Sequence, residues 1–224
     1  MYAWLETLEG VSAWLRPRPL VSMAAVLGVL ALLAGGLALL LRLNPSRTEL
    51  CRKALHVAMG LVTLSFPWIF ERVWPVWLMA GVAAGGLALL RLPLARATPL
   101  GRVLHGVKRD SWGEICFPLS VALLFTLMEQ DAVRYVVPLL VLTLADATAA
   151  LVGLRYGTVG LRVGNSQKSV EGWVAFFVVA FFAVHVPLLM GTPIGRAESL
   201  LIALTIALLV SEFELISSRG LDNL

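Results

Sequence analysis

The chain is dominated by long stretches that carry almost no charge. The first, Leu20–Leu41, runs for 22 residues without an ionisable side chain. A helix needs about 20 apolar residues to cross a bilayer core. A signal-peptide core is shorter, about 7–15 residues, and is followed by a small-residue cleavage site. No such site follows Leu41, so the run is read as a retained span. Six more runs with few ionisable groups follow: Ala54–Phe70, Val73–Leu90, Trp112–Met128, Tyr135–Leu154, Trp173–Gly195 and Ser199–Ser218. Lipid offers no partner for open backbone groups, so every span must be a helix. The expected fold is all-α: a polytopic integral membrane helical bundle with about seven transmembrane helices over residues 20–224. Residues 1–19 are expected to form an interfacial segment, because Trp4, Leu8, Val11 and Leu15 share one helical face. Composition excludes the other classes. The 224 residues are 59% hydrophobic and 14% charged, against about 45–50% and about 25% in soluble domains. Disorder needs low hydrophobicity. Two cysteines, Cys51 and Cys116, cannot build a disulfide framework.

Seven spans put successive loops on alternate sides. Of the 18 Lys and Arg, 13 fall in 42–53, 91–109, 155–168 and at Arg219, and five (Arg16, Arg18, Arg72, Arg134, Arg196) fall on the other side. The positive-inside rule makes the richer side, with the C-terminus, cytoplasmic. Arg16 and Arg18 oppose this and are outweighed. Trp68, Trp74 and Trp77 would mark the outer interface, Trp112 and Trp173 the inner one. Residues 91–110 alternate apolar and basic side chains and suit anionic headgroups. A bacterial-type inner membrane is the expected location. Membrane lipids are expected partners and nucleic acid is not.

An ionisable group inside a span is costly and marks function by default. Arg52, Lys53 and His56 open the second span and Glu114 the fourth. Asp146 lies in the inner half of the fifth, Lys168 and Glu171 precede the sixth, and Glu212, Glu214, Asp222 and Asn223 close the chain. All of them fall toward the cytoplasmic side. A transporter would place some at mid-depth and on both sides. The densest segment is Asp146 to Gly172. Ala149, Gly153 and Gly157 form a stripe of small residues, which suits helix packing and ligand approach equally. Asp146 shares their general face and is expected to point into the bundle. Lys168 and Ser169 flank a helix start, a natural phosphate site. With Ser169 as N-cap, a capping-box acid would stand at 172, which is Gly172. Glu171 is thus expected to be free to bind metal or to hold Lys168. Plainer roles compete. Arg52 and Lys53 would serve as positive-inside anchors, Lys168 and Glu171 as a surface ion pair worth little. Glu114, His105 and His185 would be interfacial or structural.

Asp146-x2-Ala149-x3-Gly153-x3-Gly157, then a loop, then Lys168-Ser169-x-Glu171-Gly172, resembles the nucleotide-binding motif of the dolichol kinase and phytol kinase family. Arg52-Lys53-x2-His56 looks like its early signature, and Gly113-Glu114-x2-Phe117-Pro118 like its central segment. Glu214 with Leu221-Asp222-Asn223-Leu224 looks like its closing motif. The resemblance covers roughly residues 50–224. It implies a membrane-embedded kinase that moves a phosphoryl group from CTP, or another nucleoside triphosphate, to an isoprenoid or similar lipid alcohol. The implied cofactor is Mg²⁺, held by Asp146 and Glu171. The implied nucleotide-binding residues are Arg52, Ala149, Gly153, Gly157, Lys168, Ser169, Glu171, Gly172, Asp222 and Asn223. Lys53 would neutralise charge in catalysis beside Asp146, Lys168 and Glu171. His56 or a motif carboxylate would accept the alcohol proton. Relatives often continue beyond the Asp-Asn pair, which leaves open a further span after Leu224. A CDP-diacylglycerol synthase-like cytidylyltransferase shares the Lys-x2-Glu-Gly segment but would need a Gly-Gly…Asp-Arg-x-Asp signature that the C-terminal residues lack. A membrane transporter is the non-enzymatic alternative.

Overall fold

A computed structural model describes residues 18–43, 48–92, 113–128, 131–163 and 166–217. The expected N-terminal interfacial helix, the basic stretch at 93–110, Asp222 and Asn223 lie outside the described residues, as does the side chain of Glu114. In chain order the helices are α1 (Pro19–Leu43), α2 (Thr48–Thr63), α3 (Phe66–Ile69), α4 (Val73–Leu90) and α5 (Gly113–Leu127). After them come α6 (Ala132–Leu140), a π-helical turn (Val141–Ala145), α7 (Asp146–Tyr156), strands β1 (Gly160–Val163) and β2 (Ser166–Ser169), α8 (Val170–Gly191) and α9 (Arg196–Ile216).

Five described helices are long and apolar enough to cross a membrane: α1, α4, the continuous Ala132–Tyr156 rod, α8 and α9. The expected second and fourth spans are helical but shorter. α2 starts at Thr48 and takes Glu49, Arg52 and Lys53 into its first turns, so part of its length is spent on charged residues. The apolar part of α5, Ile115–Leu127, is also short.

The chain divides into two compact units. The first holds α1 to α5. In it Ala38 and Leu41 of α1 pack on Cys51 and Leu55 of α2, with Leu87 and Leu90 of α4 alongside. The Phe117 ring of α5 meets the His56 ring edge-on, centroids 4.9 Å apart. The Trp77 indole N–H donates to the Thr126 hydroxyl at 3.0 Å.

In the second unit α8 packs against α7, the π turn and α9. Its core joins Val141 and Ala145 to Phe176, Ala180, Ala183 and Val184 of α8 and to Ala203 and Ala207 of α9. Small residues dominate because lipid supplies no hydrophobic push between helices, so close van der Waals packing must hold them. His185 Nδ1 lies 3.0 Å from the fully buried Ser199 hydroxyl, an interhelical bond that accounts for a histidine in a span. Pro138 has no amide to offer the Arg134 carbonyl. Three residues later the helix widens into the π turn, which ends where Asp146 begins.

The loop before α8 was expected to hold no strands; it folds instead into an antiparallel hairpin pairing Gly160 with Ser169 and Val163 with Ser166. The residues between the strands are Gly164 and Asn165, a pair that favours tight hairpin connections.

Candidate active site

The motif segment belongs to the second unit and is built around one close helix crossing. Ser169 leaves the hairpin with extended backbone and caps α8, its hydroxyl accepting from the Gly172 amide at 3.1 Å. A β-carbon on Gly153 would stand 2.9 Å from the Ser169 hydroxyl oxygen. One on Gly157 would stand 2.9 Å from the Ser169 β-carbon, and one on Gly172 2.8 Å from the Ala149 carbonyl. The start of α8 therefore lies close against the end of α7: a side chain at Gly172 would meet the α7 backbone, one at Gly153 would require the Ser169 hydroxyl to move, and one at Gly157 would also meet the Gly153 carbonyl. Close packing accounts for all three glycines. Asp146 stands seven residues before Gly153 on the same face of α7 and is 9% exposed, turned into the protein as expected.

Glu171 is neither unengaged nor the partner of Lys168, and here the expectation is corrected. One of its carboxylate oxygens accepts from the Thr158 amide at 2.9 Å, the Thr158 hydroxyl, and the Val159 amide at 3.4 Å. It thereby ties the first turn of α8 to the backbone that leaves α7. Its other oxygen is buried and has no hydrogen-bond partner among the described residues. Lys168 goes elsewhere: its ammonium donates to the Glu214 side chain at 2.6 Å and to the Glu214 backbone carbonyl. Side chains three apart face each other on a helix surface. Lys168 lies in β2, and the extended N-cap at Ser169 breaks that register.

Thr158 is a partner that residue-by-residue reading passes over. Glu214 was named as a functional candidate in the closing motif, but its pairing with Lys168 was not expected. Thr158 directly follows Gly157 and carries no signal of its own.

Of the remaining expected residues, Arg52, Lys53 and His56 lie in the first unit. Arg52 donates to Glu49 at 2.9 and 2.5 Å. Lys53 is 5% exposed. A basic anchor would keep its head in water, so the anchor role does not explain that burial.

No group of three or more His, Cys, Asp or Glu able to cage a metal occurs among the described residues. Mg²⁺ is ordinarily held by one or two carboxylates plus substrate phosphates, and the unpartnered Glu171 oxygen suits that arrangement.

Phytol kinase from Synechocystis sp. is 35% identical to this chain over 207 residues, which cover 90% of this chain and 83% of the relative. The chain belongs to the phytol/polyprenol kinase family. No family model and no solved structure matches it. A likeness over 90% of the chain takes in parts of both units, so membership in the phytol/polyprenol kinase family does not rest on the Asp146–Gly172 segment alone.

Proposed function

We propose that this membrane protein transfers the terminal phosphoryl group of a nucleoside triphosphate, CTP in the first instance, to the hydroxyl of an isoprenoid lipid alcohol of the phytol type. The observation that carries this reading is the 35% identity to phytol kinase over nine-tenths of the chain. The geometry supports it through a capped helix start with a lysine beside it. Phosphoryl transfer needs positioning and charge neutralisation more than covalent chemistry.

Lys168 would take the nucleotide phosphates at the positive end of the α8 dipole; the Val170 and Gly172 amides there are already held by the Val159 carbonyl and the Ser169 hydroxyl. Asp146 and the unpartnered oxygen of Glu171 would hold Mg²⁺, whose part when bound is to neutralise charge on the phosphates. By the family resemblance, Arg52 and Lys53 would neutralise charge on the transferred group. The alcohol oxygen takes the phosphoryl group, its proton passes to His56 or a motif carboxylate, and the nucleoside diphosphate leaves. With seven crossings of a bacterial-type inner membrane, the 13-to-5 division of basic residues supports an orientation with the site and the C-terminus in the cytoplasm.

The test is a kinase assay in detergent with a panel of isoprenoid alcohols against the four nucleoside triphosphates. The expected products are an alcohol monophosphate and a nucleoside diphosphate. A CDP-lipid with pyrophosphate would instead establish cytidylyl transfer. Solute flux into liposomes without nucleotide turnover would establish a transporter.

A further inference from the structure

α9 ends at Ile216, so the Glu214 carbonyl belongs to its last turn. The amide that would bind it in a longer helix is that of residue 218, beyond the helix end. The Lys168 ammonium bonds this carbonyl and, at 2.6 Å, the Glu214 carboxylate as well. A cation at a helix C-terminus is also favoured by the helix dipole. The pair is largely withdrawn from water, with side chains 20% and 13% exposed. The main chain of Lys168 is fixed independently, by pairing with Leu161 in the hairpin and by the Ser169 cap that follows. Only the long side chain would otherwise wander, and a lysine stem has much rotamer freedom to lose.

We propose that Glu214 is the positioning residue for Lys168, holding its ammonium beside the amino end of α8 before nucleotide arrives. This rests on the reading of Lys168 as a phosphate-binding group. An ammonium has three donors. Among the described residues two are engaged by Glu214, which leaves the third for a phosphate oxygen. A nucleotide then meets a lysine already ordered, and the cost of ordering it does not fall on binding. The last described helix is coupled in this way to the motif segment some 46 residues earlier.

The experiment is equilibrium binding of CTP, ATP, GTP and UTP to the purified full-length protein in detergent. The variants are Glu214→Ala, Glu214→Gln, Lys168→Ala and the Lys168→Ala/Glu214→Ala double variant. For whichever nucleotide the wild type binds, Glu214→Ala is expected to raise Kd about tenfold. Glu214→Gln, whose amide oxygen still accepts but carries no charge, is expected to raise it about threefold. The double variant is expected to bind no more weakly than Lys168→Ala alone, because Glu214 acts through the lysine. KM for the lipid alcohol should stay put in both Glu214 variants, which a merely structural defect would not allow. Additive losses in the double variant, or an unchanged Kd in Glu214→Ala beside a weakened Lys168→Ala, overturn the positioning role alone. Wild-type binding by Lys168→Ala, or no nucleotide binding by the wild type, overturns the assignment of Lys168 and the role of Glu214 with it. If Glu214→Ala does not fold, Glu214→Gln carries the same comparison.

Discussion

Gly81 and Gly85 in α4 have the spacing of Gly153 and Gly157 around the end of α7, yet their surroundings are opposite. Among the described residues, a β-carbon on Gly81 or Gly85 would meet nothing within 4 Å, and the same holds for Gly28, Gly35, Gly36 and Gly86 of the first unit. A β-carbon on Gly153, Gly157 or Gly172 would meet Ser169 or the α7 backbone within about 3 Å. A small-residue stripe permits close approach without saying whether anything approaches. What separates the two regions is polar company. The α7 stripe leads to Thr158, Glu171 and the Ser169 cap, which bond across the crossing. The α4 stripe is followed by no comparable cluster in its own helix. Packing density and chemistry coincide in the second unit, and the following variants probe whether that coincidence is functional.

The largest effect is expected from Asp146→Asn. The amide keeps the shape of a 9%-exposed side chain and removes its charge. Turnover should fall by about a hundredfold or more, the scale of losing a placed electrostatic contact, while the protein stays folded and monodisperse. Near wild-type phosphorylation of every acceptor would detach the densely packed crossing from catalysis.

Glu171→Gln follows. The amide oxygen can still accept from Thr158 and Val159, so the tie across the crossing should persist. The unpartnered oxygen is replaced by an amide nitrogen, a donor that cannot ligate a cation. Turnover at limiting Mg²⁺ should drop about tenfold, on the scale of weakened metal holding, and recover in part as Mg²⁺ is raised. A drop that no Mg²⁺ concentration relieves would assign Glu171 to the structural tie alone.

Gly172→Ala separates packing from chemistry. Its new methyl would stand 2.8 Å from the Ala149 carbonyl, a backbone atom that cannot swing aside. Overpacking of this kind typically costs about 1–3 kcal/mol, read as a lower Tm in detergent. An unchanged Tm would mean that α7 and α8 are more loosely crossed than their geometry indicates.

The sequence legibility of the two regions differs in the same way. Uncharged runs located the apolar helices closely: Val73–Leu90 is α4 residue for residue, and Leu20–Leu41 lies inside α1. Runs defined by missing charge fail where a helix carries charge, and so α2 begins at Thr48 rather than at Ala54. The π turn has no sequence signature beyond Pro138 upstream. The hairpin could have been read from Gly164-Asn165 between two short runs, but membrane reasoning treated the segment only as a connection. Ser169 was legible as an N-cap because capping is local. The partners of Lys168 and Glu171 were not, because Glu214 is 46 residues away and Thr158 reaches Glu171 only through the hairpin's return.

The smallest effect is expected from Gly85→Ala, and it bears most directly on the comparison. Alanine in a helix interior is favoured over glycine by about 0.5–1 kcal/mol, through the backbone entropy glycine loses. In α4 no neighbouring atom opposes the added methyl. The gain should fall at or below the lower end of that range, because lipid keeps the segment helical even when tertiary packing is lost. Tm in detergent should therefore hold or rise slightly, with turnover unchanged. Gly153→Ala, at the matching position of the other stripe, should lower Tm, since its methyl would press on the Ser169 hydroxyl. If Gly85→Ala instead falls as far as Gly153→Ala, the α4 glycines are packed against something, and the contrast between the two stripes dissolves. If both hold, Ser169 yields easily and the crossing is not fixed by its glycines. Only the split result leaves α7–α8 as the one crossing of the pair whose glycines are required by contact.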